Sequence, residues 1–145
     1  MAESAPQNYS NHTRFDPPFH FFLIPLFAIG VLLALWHLYQ SPGIFHLLLV
    51  IYAAAFLLLV LKTRLYALKV QDRVIRLEEQ LRLSRLLPEP LRGRIGELSV
   101  GQLIGLRFAP DAELPALAER ALNEKLSRAD IKKAVKNWRP DTWRV

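Results

Sequence analysis

Cysteine is absent from the 145 residues. Its absence excludes disulfides, thiol nucleophiles, cysteine-bound zinc and iron–sulfur clusters. No Walker-type glycine loop, G-x-S-x-G or H-E-x-x-H string occurs either. The local patterns that cradle a nucleotide phosphate, present a nucleophilic serine or hold a catalytic zinc are therefore missing. The most informative absence is of charge. From Pro17 to Leu61 there is no Lys, Arg, Asp or Glu, and a chain of this size cannot enclose so long an apolar block in a soluble core. The expectation is an all-α membrane protein with no catalytic residue, cofactor or metal site.

Within the block, FHFFLIPLFAIGVLLALWHLY (19–39) and IFHLLLVIYAAAFLLLVL (44–61) flank a turn of Gln40, Ser41, Pro42 and Gly43. A bilayer's hydrocarbon layer is about 30 Å thick, and about 20 helical residues cross it at about 1.5 Å each. Backbone groups in lipid must be satisfied within the segment, so runs of this kind are helical. Residues 19–61 thus read as a transmembrane hairpin. Pro25 falls in the first turns, where a missing N–H is tolerated, and Trp36, Tyr39 and Phe45 gather at the turn like an interfacial aromatic belt. The first run exceeds a signal-peptide core and no A-x-A-like site follows it, which favours a permanent anchor.

Charge sets the expected orientation. Of the 19 Lys and Arg residues, all but Arg14 follow Leu61, and the turn has none. The positive-inside rule then places the turn outside and both termini in the cytoplasm. Residues 62–87 form a basic amphipathic extension of the second helix. Between Lys62 and Arg94 nine basic residues face four acidic ones, and each basic residue held near an anionic leaflet gains roughly 1 kcal/mol. Lys62, Arg64 and Lys69 are the residues of this face nearest the membrane. Val70, Val74, Leu77 and Leu81 follow the 4-3-4 spacing of a heptad seam. That stripe serves either a dimerising or partner-docking coiled coil, or packing on the chain's own C-terminal helices. Asp72 with Arg76 and Glu78 with Arg82 are spaced as i,i+4 ion pairs.

LPEPLRGRIG places two prolines and two glycines after the extension, making 88–98 a linker. Residues 99–145 then read as a small module of three amphipathic helices. Ser99 with Gln102 is a capping box, Asp111 is expected to cap the second helix, and Ser127 with Asp130 the third, which should run to the stop before Pro140. So short a module is too small to stand alone and must dock, with Trp138, Arg139 and Trp143 the candidate contacts. The polar segment 1–18 carries Gln7, Asn8, Tyr9, Asn11, His12 and Arg14. These suit hydrogen bonding to a neighbouring helix, a partner or lipid phosphates, with docking on residues 62–80 the first expectation.

QNYSNHTR before an apolar hairpin, LSVGQLIGLRFAPDAELPALAERAL after a charged extension, and ADIKKAVKNWRPDTWRV at the end together resemble a family of small uncharacterised bacterial membrane proteins, a domain of unknown function. The resemblance covers nearly the whole chain. It rests on the Gln-Asn-Tyr-x-Asn-His string, Leu-Arg-Phe-Ala at 106–109, and Ile-Lys-Lys with Trp-Arg-Pro-Asp. It implies a bacterial cytoplasmic (inner) membrane setting and no activity.

His37 and His46 fall at similar depth in an antiparallel hairpin, where two imidazoles could ligate a haem or metal. Residues from Ile95 onward carry nine basic and seven acidic groups, too even a balance for a strong nucleic-acid footprint, although Arg128, Lys132, Lys133 and Lys136 share one predicted helix. The expected function is that of a non-enzymatic, multi-pass inner-membrane anchor or scaffold. It would present a cytoplasmic helical module to a protein partner, as a subunit or assembly factor of a membrane complex, with a second copy of itself among the candidate partners. The alternatives are a membrane-tethered nucleic-acid binder and a small haem or metal subunit.

Overall fold

The structure, a computed structural model, describes residues 7–11 and 16–141. Six helical stretches and no strand occur among them. A π-helical opening, Pro18–Leu23, leads directly into α1, Ile24–Gln40. Then come α2, Ile44–Leu86, a 3-10 helix, Leu91–Glu97, and the short helices α3, Val100–Leu106, α4, Leu114–Asn123, and α5, Arg128–Ala134. The chain divides into two compact units, residues 14–69 and residues 1–13 with 70–144, and α2 runs through the division without a break.

In the unit of residues 14–69, Pro18–Gln40 and Ile44–Leu86 are long and apolar enough to cross a membrane. Pro25 sits where the π-helical opening passes into α1, in the second turn of the continuous run Pro18–Gln40, and its missing N–H forgoes one bond to the preceding turn. Ser41, Pro42 and Gly43 reverse the chain, and antiparallel register is visible in the ring pairs Phe27 with Phe56 (6.2 Å) and His37 with His46 (6.3 Å). Ala34 alone is buried among the described residues of this unit. Gly30 is not at a close approach, because a Cβ there would meet nothing within 4 Å. Asp16 ties the start of the first helix to the second through Arg64 (3.8 Å), whose guanidinium also lies over Phe19 (5.6 Å).

In the other unit the C-terminal helices dock on the last turns of α2. Leu83 and Leu87 join Leu103, Leu106, Phe108, Leu114, Ala118, Ala121 and Ile131 in one core. The face of α2 that enters is Ile75, Glu79 and Leu83, not the heptad stripe, whose four residues remain exposed. The seam's expected packing on the chain's own helices is thus overturned: the core takes the opposite face. The 88–98 segment is no loose linker. It forms the 3-10 helix Leu91–Glu97, with Leu91 and Ile95 packed on the core and Leu98 inside it.

The first and third predicted caps are present. Ser99 accepts from Gln102 N (3.2 Å) while Gln102 Oε1 accepts from Ser99 N (2.9 Å), a full capping box. Ser127 accepts from Asp130 N (3.2 Å). The second is absent. Residues 111–113 form a turn, α4 starts at Leu114 without a side-chain cap, and Asp111 turns instead to Arg82. α5 ends at Ala134 rather than before Pro140, because Glu113 captures the N–H groups of Lys136 (3.0 Å) and Asn137 (3.1 Å) and draws the chain out of the helix.

Candidate functional site

A cleft of about 920 Å³ is lined by α2 from Ile75 to Leu86, by Arg107, Pro110 and Asp111, and by residues 137–141. Its chemistry is set by one residue. Arg82 lies on α2 one position before the core residue Leu83, so its stem follows the core while its head reaches the cleft. There it donates through Nε to Asp111 Oδ1 (2.7 Å), through Nη2 to Ala109 O (2.7 Å) and through Nη1 to Glu79 Oε2 (3.2 Å). The planar guanidinium satisfies three acceptors at fixed angles, which lysine could not do.

Glu79 is 4% exposed. Burial pushes its carboxyl above the usual glutamate range, and Arg82 and Arg139 (3.7 Å) pull it back. Arg107, also buried, is ion-paired with Asp141 (3.1 Å), and its guanidinium stands 4.6 Å from the centre of the Phe108 ring. Trp138 closes one wall by packing on Phe108 at 4.7 Å, and Arg139 N donates to Phe108 O (2.8 Å). Four arginines, Arg82, Arg85, Arg107 and Arg139, thus share the cleft with Glu78, Glu79, Asp111 and Asp141. Such balanced, largely self-paired charge around Leu81, Leu86, Trp138 and two prolines suits docking of a protein segment better than capture of a lone ion.

The residues singled out in the sequence are distributed over both units. Trp138 and Arg139 belong to the cleft. Gln7 reaches the same neighbourhood, accepting from Asp141 N (2.9 Å), and the Tyr9 ring lies under Lys133 Nζ (5.7 Å). Asn8 and Asn11 fold the segment on itself, Asn8 N donating to Asn11 Oδ1 (2.6 Å) and Asn8 Oδ1 accepting from Ser10 N (2.9 Å). Gln7 and Tyr9 thus contact the C-terminal part of the chain at Asp141 and Lys133, and Asp16 meets residues 62–80 at Arg64. In the 14–69 unit, Lys62 and Lys69 flank the Tyr66 ring at 6.0 Å each. His12, Arg14 and Trp143 lie outside the described residues.

His37 and His46 do come together, with nearly parallel rings 6.3 Å apart. Among the described residues no group of three or more potential ligands is placed to hold a metal. The basic helix expected to read nucleic acid is interrupted. α5 ends before Lys136, and Lys132 is buried with its ammonium 5.1 Å from the Phe108 ring. The i,i+4 pair of Arg82 with Glu78 is replaced by the i,i+3 pair with Glu79.

Sequence reasoning missed Glu79, Arg82, Arg107, Asp111 and Asp141. Glu79 carried a usable signal: it stands midway between Ile75 and Leu83 at the spacing of a buried helical face, where an acid requires a partner. Arg107 carried another, as one charge inside the apolar run LIGLRFA. Comparison with curated proteins and with solved structures returns no match. The sequence does match one family along its full span, and by that match, over residues 1–145, the chain belongs to the Family of unknown function (DUF6526).

Proposed function

We propose that the protein is a non-enzymatic anchor of the bacterial inner membrane that presents its C-terminal helical module to a protein partner, as a subunit or assembly factor of a membrane complex. The observation that carries this reading is the composition of one helix. α2 is continuous from Ile44 to Leu86; its first part is apolar and uncovered, and its last turns supply Leu83 and Glu79 to a packed core and a charged cleft. An apolar helix left bare on nearly all sides is costly in water and ordinary in lipid. With the turn at Ser41 outside and Lys62, Arg64 and Lys69 at the inner leaflet, the cleft faces the cytoplasm.

The test is purification of the tagged full chain in mild detergent, with mass spectrometry of what accompanies it and crosslinking in cells beforehand. A stoichiometric partner protein, lost when the cleft is altered by Arg139→Glu, is the expected result. Recovery of this chain alone from both procedures would sink the reading.

A second reading, a small haem or metal subunit, draws on the histidine pair. Two imidazoles sharing one ion through N–metal bonds of about 2.0–2.1 Å have ring centres about 6 Å apart, close to the spacing of His37 and His46. Its sign would be a Soret band in the purified protein that disappears in His37→Ala or His46→Ala.

A further inference from the structure

Val70, Val74, Leu77 and Leu81 are 60%, 47%, 62% and 60% exposed. They form one stripe of α2, whose end at Leu81 borders the cleft, while Ile75, Glu79 and Leu83 are buried on the opposite side of the helix. We propose that the stripe is covered by the same stripe of a second copy, in a parallel, in-register, two-stranded coiled coil. This deepens the membrane-anchor reading and rests on it at one point: copies inserted in one membrane with one topology present their α2 helices in the same direction.

Heptad geometry and charge select the occupant. The 4-3-4 spacing makes Val70 and Leu77 d positions and Val74 and Leu81 a positions, with Arg73 at g and Glu78 at e. A β-branched residue at a with leucine at the following d, as in Val74 and Leu77, favours two parallel strands. In that arrangement each g side chain meets the e side chain of the partner's following heptad. Arg73 of each copy then faces Glu78 of the partner subunit, and the twofold axis makes the pair reciprocal. Antiparallel pairing would instead set Arg73 against a glutamine, Gln80, and Glu78 against another, Gln71, with no ion pair. Arg73 and Glu78 are both exposed, and Arg82 is engaged with Glu79 and Asp111. A seam this short does not hold free helices together, whereas tethering in a common membrane raises the effective concentration of one copy for another.

Because the sequence has no cysteine, single-cysteine variants of the full chain in native membranes read this geometry directly. Parallel register brings position 70 opposite 70 and 77 opposite 77. On oxidation with copper phenanthroline, Val70→Cys and Leu77→Cys are expected to give homodimers at several-fold the yield of Arg76→Cys, which lies off the seam. Arg73→Glu added to Leu77→Cys should lower that yield by like-charge repulsion, and Glu78→Arg added in turn should restore it.

The proposal is overturned if the seam positions crosslink no better than Arg76→Cys. It also fails if Val70→Cys pairs only with Leu81→Cys, the antiparallel outcome, or if the oxidised band contains a different protein. These results stand apart from the test of the anchor reading. A chain that purifies with no other protein yet crosslinks at 70 and 77 would defeat the partner and leave the seam intact.

Discussion

Two glutamates of the C-terminal unit respond to pH with opposite sign. Glu113 accepts from the backbone N–H of Lys136 and from the amide and backbone of Asn137, and these bonds hold its carboxyl below the usual range. A lowered carboxyl contributes stability that is present above its ordinary value and is lost as pH falls through the folded-state value. Glu79 is the reverse. Burial raises its carboxyl, so the native state favours the protonated form and loses stability as pH climbs from the ordinary value through the raised one. Melting curves between about pH 3 and about pH 6 should show the cost of Glu113→Gln growing with pH and the cost of Glu79→Gln shrinking. Parallel profiles for the two variants would contradict both assignments. The role of Glu113 was not legible in the sequence, because it depends on Lys136 and Asn137 brought from afar, whereas the burial of Glu79 was signalled by its place between Ile75 and Leu83. Ser99 and Ser127 were legible because a cap is satisfied within its own turn.

Among the elements, α3 and α5 meet where the string Gly101, Gln102, Leu103, Ile104, Gly105 lies on α3. A Cβ on Gly105 would stand 3.0 Å from Ile131 Cγ2 and 3.3 Å from the backbone oxygen of Arg128, and one on Gly101 would touch Arg128 Cβ at 3.8 Å. This G-x-x-x-G pattern, which lies outside the apolar spans, is therefore the close-packed seam of two short helices. Gly105→Ala should destabilise the unit by about 1–3 kcal/mol through overpacking, read from denaturant unfolding followed by Trp138 fluorescence. Ile131→Leu, which removes the Cγ2 branch that a Cβ at position 105 would meet, should recover part of that loss, as expected of a coupled pair. Additive losses in the double variant would place the strain elsewhere. The element pattern shows what periodicity leaves open. The more apolar stripe of α2 lies opposite the buried one, and docking of Leu106, Phe108 and Leu114 against Leu83 and Leu87 decides for the 75, 79, 83 face. The end of α5 was misjudged for a similar reason: Ala134, Val135 and Trp138 keep helical spacing after the helix has stopped, since Val135 and Trp138 reach the core from an extended chain.

For the whole molecule, the strongest asymmetry is in the sequence itself: an uncharged block to Leu61, then nearly all the basic residues. That the block forms two helices long and apolar enough to cross a membrane was legible, because such a run needs no tertiary contact to be recognised. The orientation proposed above rests on the same asymmetry. Moving Lys62, Arg64, Lys69, Arg73 and Arg76 across the membrane together would work against the positive-inside preference at every one of them, whereas the turn of Ser41, Pro42 and Gly43 carries no charge to retain. The absence of cysteine makes the consequence testable at a single atom. Ser41→Cys is exposed in the turn and Ser84→Cys is exposed on the extension, so a membrane-impermeant maleimide separates the two sides. In intact spheroplasts Ser41→Cys should label and Ser84→Cys should not, and permeabilisation should make both reactive. Labelling of Ser84→Cys in intact spheroplasts would reverse the topology and put the charged cleft outside the cell. Equal labelling of both before permeabilisation, in protein that washes off at alkaline pH, would mean that the apolar pair of helices is covered by another protein and not by lipid.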